Sequence, residues 1–274
     1  MIKLKNVATE ILDILEKRRQ DLELTFVEDT HTYTMKNIQG ELKSDWPSVS
    51  KVMKLFYTEF DSEGISLKKA NGDPEVQQQL LDEWKAAADY SINVGSRTHL
   101  DKEVRQPEFE CNFEQILRSD SMVSAGTNFL ETMKERGALL LDTELILGDN
   151  EYGYTGAPDK MWLIENKDKS EIGIICTDYK TNKPKNFEAS YFTKKMLSPF
   201  EKLDDTALGH YSTQLPFYCK LLLKMLKGTK YENIKVFGCI IVLVKDDGTF
   251  EEFRVPKEVQ QTILDMDMKK YLKK

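Results

Sequence analysis

The chain has 274 residues, with 39 Lys and Arg against 46 Asp and Glu, and a formal net charge of −7. A chain of this length buries about 75% of the surface that it exposes when unfolded, so it can form a substantial hydrophobic core. With 40% hydrophobic and 31% charged residues, the composition excludes an intrinsically disordered protein. No apolar run approaches the roughly 18 residues that a membrane-spanning helix needs, and we expect no membrane partner. The net acidity argues against a protein that binds polyanions over its whole surface.

Helices and a hairpin are predicted for the N-terminal part of the chain. The expected elements, in chain order, are a helix at 4–20, a hairpin at Leu22–Lys36 that Asn37–Leu42 turns back, a short helix from Pro47 and a long helix at 74–104. The helices are predicted from apolar residues spaced three and four apart, and the hairpin from a run rich in Thr, Phe and Tyr. Ser48 or Ser50 is the expected N-cap of the short helix.

From residue 138 the pattern changes to strands. The expected elements are β-runs at 138–148, 154–164 and 171–181, a helix at 205–227, a buried strand at 235–244, a short strand near Phe250–Val255 and a helix from Pro256. This order predicts an α/β fold (α+β, with a mixed sheet) whose core runs helix, three strands, helix, strand. We assign residues 1–90 to a helical and β-hairpin lobe and residues 91–274 to the core.

The third β-run ends in charged residues. Side chains alternate along a strand, so Ile174, Cys176, Asp178 and Lys180 share one face, and the charged pair is expected to be exposed at the strand's mouth. Asp/Glu-x-Lys occurs five times in this chain, but only Asp178–Lys180 ends an apolar β-run. The pair is therefore either a functional pair or a salt bridge at the surface.

The preceding β-run contains Gly156 and Ala157, then a proline and Asp159. The two small residues leave room for close approach by something other than a side chain. An antiparallel neighbour brings Asp159 beside Asp178, and adjacent carboxylates repel unless a cation lies between them or one is protonated. Oxygen ligands of this kind suit Mg²⁺ or Mn²⁺, and Lys180 can orient a water or stabilise charge on a phosphate. This is chemistry for hydrolysing a phosphodiester.

Four short motifs together resemble a known family. Pro158–Asp159 followed by Asp178–Lys180 resembles the signature of the PD-(D/E)XK nuclease superfamily. Gly95–His99 upstream and Gln214–Tyr218 downstream resemble the Gly-x-x-x-His and Gln-x-x-x-Tyr motifs of its RecB-like exonuclease branch. Two further segments are similar to phage exonucleases and to the mitochondrial genome-maintenance exonuclease, namely Asp29–Tyr33 and Pro47–Ser50.

The resemblance implies a restriction-endonuclease-like core and a role for each motif. The implied metal ligands for one or two Mg²⁺ or Mn²⁺ ions are His99, Asp159, Asp178 and the backbone carbonyl of Tyr179. The implied catalytic residues are Lys180, Asp159, Asp178 and Gln214. The four cysteines are too widely spaced for the iron–sulfur cluster that some relatives hold, so we expect none.

Five further residues are candidates for contacts with the substrate, namely Tyr218, Lys183, Lys185, Glu103 and Glu144. Three of them also have an ordinary structural interpretation. Tyr218 belongs to an apolar stripe of its helix, Glu103 to a solvated face, and Glu144 on the first β-run to a surface charge. Pro216 either bends the helix that carries Gln214 or lies in its first turn.

The resemblance implies a Mg²⁺-dependent DNA exonuclease that leaves 5′-phosphate products in replication, recombination or repair. Its expected partners are DNA that is single-stranded or has a free end and a single-strand-binding or recombination protein, in the cytoplasm (the host's, for a phage-encoded chain). Residues 1–90 then act as a DNA clamp. The net charge of +4 over residues 180–195 fits a local DNA channel. The alternatives are a catalytically inactive DNA-binding or scaffold module and an unrelated acidic α/β protein.

Overall fold

A computed structural model describes residues 2–28, 30–100 and 113–272, without the side chains of Ile2, His99, Leu100 and residues 113–117. Two residues of the sequence motifs, Asp29 and Glu103, therefore lie outside the described residues. Within the described part, no helix is both long and apolar enough to cross a membrane.

The N-terminal part contains more elements than predicted. They are α1 (Ile2–Leu22), β1 (Thr25–Val27), β2 (Thr32–Lys36), β3 (Leu42–Lys43), α2 (Val49–Met53), α3 (Ser62–Lys69) and α4 (Pro74–Leu100). The predicted run Leu22–Lys36 contains two strands, β1 and β2, which pair with each other. With β3 they form a three-stranded antiparallel sheet in place of the predicted hairpin. Ser48 is the N-cap of α2 and accepts a hydrogen bond from the Lys51 N–H. The predicted lobe boundary at residue 90 falls inside α4.

The rest of the chain forms the expected mixed α/β layer. Its elements are α5 (Phe113–Glu135), β4 (Leu139–Thr143), β5 (Leu147–Asp149), β6 (Tyr154–Gly156), β7 (Lys160–Glu165), β8 (Ile172–Lys180), α6 (Ala207–Leu226), β9 (Lys235–Val244), β10 (Phe250–Arg254) and α7 (Lys257–Asp265). The main sheet has the order β10-β9-β8-β7-β4, and β8 and β9 are its parallel pair. β5 and β6 form a separate two-stranded sheet.

Two of the predicted β-runs are each broken in two. Glu144 has a φ of +47°, which ends β4 before β5 begins. Pro158, which has no N–H to donate to a strand ladder, lies in the gap between β6 and β7. Glu144 is therefore not on a strand, contrary to the prediction, and Asp159 directly precedes β7.

Helices cover both faces of the main sheet. On one face, α1 and α6 contribute buried residues such as Ile11 and Phe217 to a core that includes Cys176 of β8. On the other face, α5 contributes Phe129 to a second core that includes Tyr179. β8 is consequently covered on both faces, and its charged end lies beneath α6.

Glu151, in the turn between β5 and β6, connects α6 to the C-terminal segment. Its carboxylate contacts Lys224 of α6 and lies 2.6 Å from Nζ of Lys269. Hydrogen bonds from Lys224 and then Lys269 lower the pKa of Glu151 from 4.5 to about 2.

We expect this ion pair to make stability depend on pH. The folded-state pKa of Glu151 is below the unfolded value, so its contribution is present above pH 4.5 and is lost as the pH falls towards 2. The carboxylate is 44% exposed and solvent screens it, so we expect about 1 kcal/mol. In urea unfolding, Glu151→Gln should be less stable than wild type at pH 6 and equal to it near pH 2. Glu188→Gln, at an exposed position, is the control, and an equal pH profile for both variants would contradict the prediction.

Candidate active site

Strand pairing brings two predicted acidic residues together. β7 and β8 are antiparallel, with Lys160 opposite Thr177. Continuing this register by one residue places Asp159 opposite Asp178, and facing residues on paired strands lie about 5 Å apart. Asp159 Oδ2 accepts a hydrogen bond of 2.7 Å from the backbone N–H of Tyr179. The carboxylate of Asp159 is thereby held at the end of β8, beside Asp178.

Lys180, the last residue of β8, contacts the Asp178 carboxylate. The side chains are 16% and 5% exposed, so the expectation of an exposed pair is wrong. The pair is covered because α6 packs over this strand end, and Lys180 Nζ lies 4.2 Å from the ring centre of Tyr211. Burial by itself lowers the pKa of Lys180, but Asp178, Tyr211 and Asp159 outweigh it and raise the pKa above the usual value. The amine is therefore protonated at neutral pH.

α6 presents Gln214 and Tyr218 to the same place. The helix begins after Thr206, whose hydroxyl accepts a hydrogen bond from the Gly209 N–H, and it continues through Pro216. Pro216 is therefore inside the helix, and the prediction that it could lie in the first turn is wrong. Gln214 and Tyr218 keep their spacing of one turn, since Gln214 Nε2 donates to the Tyr218 hydroxyl at 3.0 Å.

Tyr218 and Gln214 are both buried next to the carboxylates. Burial first, and then the charges of Asp178 and Asp159, raise the pKa of Tyr218 well above its usual value. Gln214 Nε2 also lies 3.3 Å from the hydroxyl of Ser50 on α2. We did not predict Ser50 as a site residue, although it belongs to the Pro47–Ser50 motif.

Gly156, three residues before Asp159, has a structural role that differs from the one predicted. A Cβ atom added to Gly156 would lie 2.7 Å from Cε1 of Tyr218 and 2.9 Å from Cγ2 of Val49. The space beside Gly156 is thus filled by two side chains, and the expectation that something other than a side chain approaches there is wrong. Gly156 lets α6 and α2 pack directly on β6.

Of the remaining candidates Glu144, Glu103 and His99, only Glu144 has a described side chain, and it lies outside this cluster. Glu144 is exposed, and its charge, after burial, contributes to raising the pKa of Tyr33 on β2 to about 12. Its backbone N–H donates to the carbonyl of Asp159 at 3.1 Å. The side chain of His99 and all of Glu103 lie outside the described residues, so their roles stay predictions.

The last turns of α4 nevertheless run beside the site. A Cβ atom added to Gly95 would lie 3.2 Å from Oγ1 of Thr181, the residue directly after Lys180. His99 follows Gly95 by about one turn of the same helix. The motif Gly95–His99 is therefore on an element that contacts the chain at the end of β8.

The oxygen atoms at this strand end suit a divalent cation. Two carboxylates, Asp159 and Asp178, lie beside one ammonium group, Lys180, which leaves a net negative charge at a largely buried position. Gln214 Oε1 is buried and has no hydrogen-bond partner in the described part of the chain, so it can accept one from a water. Carboxylate, carbonyl and water oxygens are the ligands of Mg²⁺ and Mn²⁺. Within the described residues, no group of three or more His, Cys, Asp or Glu side chains could hold a metal ion.

A cleft of about 910 Å³ opens beside Lys180. It lies between α4, the end of β8 and α6, and its lining includes Arg118, Lys180, Lys183, Asn182, Tyr90 and Tyr211. The Tyr211 hydroxyl donates to Asn182 Oδ1 at 3.0 Å, which joins two of its walls. Lys185 is exposed on the adjacent turn Pro184–Phe187 and does not line the cleft. The charged side chains that line the cleft are thus all cationic, although the whole chain is acidic.

No family model matches this chain, and a search of curated proteins finds no match either.

Proposed function

We propose that the chain is a metal-dependent nuclease of the PD-(D/E)XK type that hydrolyses DNA from an end. The observation that carries the proposal is the position of Asp159, Asp178 and the protonated Lys180 at neighbouring strand ends. Of these three groups, Lys180 lines a cleft to which Arg118 and Lys183 also contribute, and the charges of those two side chains suit a phosphate backbone. The resemblance of the four sequence motifs to RecB-like exonucleases supports the same assignment.

Each residue of the site has a role in this proposal. Asp159 and Asp178, with the backbone carbonyl of Tyr179 and the His99 side chain, would hold Mg²⁺ or Mn²⁺. When bound there, the cation would supply Lewis acidity towards the scissile phosphate. Lys180 orients the attacking water and stabilises negative charge that develops on the phosphate.

The other groups position the substrate and the site. Gln214, hydrogen-bonded to Tyr218 and Ser50, orients a water or a phosphate oxygen through its amide. Attack on the phosphorus expels the 3′-oxygen, so the products carry 5′-phosphates. Lys183 and Lys185 bind the backbone of the DNA, and the N-terminal elements form a wall of its channel.

The test uses two DNA molecules of the same sequence, one linear and end-labelled, the other a closed single-stranded circle. With Mg²⁺ or Mn²⁺ we expect the linear strand to be shortened to 5′-mononucleotides, identified by mass spectrometry, and the circle to stay intact. EDTA should stop the reaction.

Three outcomes would contradict the proposal in different ways. Cleavage of the circle would make the protein an endonuclease. Binding of linear DNA without degradation in either metal would favour the inactive DNA-binding module. If the protein neither binds nor degrades DNA and titrates no Mn²⁺ in calorimetry, the charged strand ends serve only the fold.

A further inference from the structure

Two aromatic side chains on the segment between β8 and α6 are almost fully exposed to solvent. Tyr191 is 96% exposed and Phe192 is 87% exposed, the highest values among the large hydrophobic side chains of the described residues. Their rings are 5.3 Å apart and nearly perpendicular. These two rings contribute almost no buried area to the fold, and adjacent exposed aromatic side chains are typical of a binding surface.

The turn that carries the two rings is closed by hydrogen bonds. The Thr193 N–H donates to the Ser190 carbonyl at 3.0 Å, and the Ser190 N–H donates to Thr193 Oγ1 at 2.7 Å. Tyr191 and Phe192 occupy the two central positions of this turn, so both side chains project from it. A ligand that binds them encounters a backbone that is already ordered, which lowers the entropic cost of binding.

The base of the same segment is anchored to the core. The Leu197 N–H donates to the Phe56 carbonyl at 2.7 Å, and the buried Phe200 packs on Phe56 with ring centres 5.1 Å apart. The Asp205 N–H donates to the Lys194 carbonyl at 2.8 Å. The chain that follows the aromatic turn is therefore joined to the core by these contacts.

The segment that carries the turn has a net charge of +4 over residues 180–195, in which Glu188 is the single acidic residue, and a net positive charge attracts a polyanion. Lys183, Lys185 and Lys194 are exposed, and none of them forms an ion pair with a described residue. A symmetric contact with the same turn of a second copy would bring these lysines against each other, and like charges across an interface are costly. A strand of nucleic acid offers both a negative backbone and flat apolar bases.

The turn is also close to the candidate active site. Asn186 lines the cleft beside Lys180 and precedes Tyr191 by five residues, so the two Cα atoms are at most about 18 Å apart. A strand that occupies the cleft can therefore reach Tyr191 and Phe192 within a few nucleotides.

We infer that Tyr191 and Phe192 form a base-stacking site for unpaired nucleotides of the strand that enters the cleft. This inference rests on the proposed function, because it assigns the rings to the same substrate. Stacking needs bases that are not paired in a duplex, so the site favours single-stranded DNA or the frayed end of a duplex. The lysines bind the phosphate backbone of the strand, and the rings of Tyr191 and Phe192 stack on its bases.

The experiment distinguishes contacts to the bases from contacts to the sugar-phosphate backbone. Fluorescence anisotropy in EDTA measures the affinity for a labelled 20-nucleotide thymidine strand and for an abasic strand of the same length. We expect the wild type to bind the strand with bases about tenfold or more tighter. Tyr191→Ala/Phe192→Ala should abolish this difference and keep the affinity for the abasic strand, whereas Tyr191→Trp/Phe192→Trp should preserve the difference. Leu140→Ala, at an exposed hydrophobic position on β4, is the control and should behave as wild type.

The contrary results are equally definite. Equal binding of both strands by the wild type, or an equal loss for both strands in the alanine variant, would overturn the inference. So would a change of oligomeric state in that variant with unchanged DNA binding, because the rings would then serve a protein contact. Failure of the proposed function is distinguishable, since it is measured separately as the absence of Mg²⁺-dependent degradation by the wild type.

Discussion

Asp178→Asn is expected to lower the rate of DNA degradation by about a thousandfold and to abolish binding of Mn²⁺. The substitution removes one of the two carboxylate charges at the strand end and keeps the size of the side chain. Calorimetric titration with Mn²⁺ and degradation of end-labelled DNA measure the two effects. The variant loses the partner of Lys180, so a thermal melt checks that it is folded at the assay temperature.

Lys180→Met separates metal binding from catalysis at this site. It removes the ammonium group while keeping the length of the side chain, so we expect a similar loss of rate. Mn²⁺ should still bind, and more tightly, because a neighbouring positive charge is gone. Asp178→Asn and Lys180→Met therefore differ in metal binding and agree in rate.

A second Glu/Asp-x-Lys sequence of the chain provides the matched control. Glu165 is the last residue of the apolar strand β7, so the expectation that only Asp178–Lys180 ends such a run is wrong. The partner of Glu165, at 3.8 Å, is Lys3 of α1. Glu165→Gln should leave the rate within about twofold of wild type, because surface ion pairs contribute little. Near-wild-type activity of Asp178→Asn or Lys180→Met in Mg²⁺ would refute the mechanism.

Elements with a strong periodic signal were predicted well from the sequence. The strand at 235–244 has the predicted bounds, and the helix at 205–227 differs from α6 by two residues at one end and one at the other. Both are apolar enough for burial alone to determine the element. α5 was missed, although its buried positions 122, 125, 129 and 133 have helical spacing. They include alanine and methionine among many polar residues, which weakens the apolar contrast.

The acidic pair was predictable because it depends on local rules. Antiparallel pairing of two successive β-runs across a short turn is enough to place Asp159 near Asp178. Contacts between distant segments were not predictable in this way. Ser50 meets Gln214 across 164 positions of sequence, and three of the four cysteines converge, with Cys219 and Cys239 sulfurs 3.6 Å apart. Only the packing of α2 and α6 on the sheets determines these contacts.

Gly156→Ala is expected to destabilise the protein by about 1–3 kcal/mol, the usual cost of overpacking a core. The new methyl group would lie 2.7 Å from the Tyr218 ring, so that ring or its helix must move. Gly238→Ala on β9 is the matched control, because a Cβ there has no heavy atom within 4 Å. That variant should be as stable as wild type or slightly more stable, since alanine restricts the unfolded chain. Urea unfolding measures both, and equal midpoints for the two variants would contradict the prediction.

The same substitution tests whether Gly156 acts on the site through Tyr218. Displacing Tyr218 breaks its hydrogen bond with Gln214, so Gly156→Ala should lose activity even at a temperature where it is fully folded. Val49 supplies the second close contact, at 2.9 Å, so Val49→Ala should relieve part of the strain. The double variant Gly156→Ala/Val49→Ala is then more stable than the sum of the two single effects predicts. Strictly additive stability changes would mean that Val49 and Tyr218 do not compete for the space beside Gly156. Gly156 would then not be the residue that allows α6 to pack on β6.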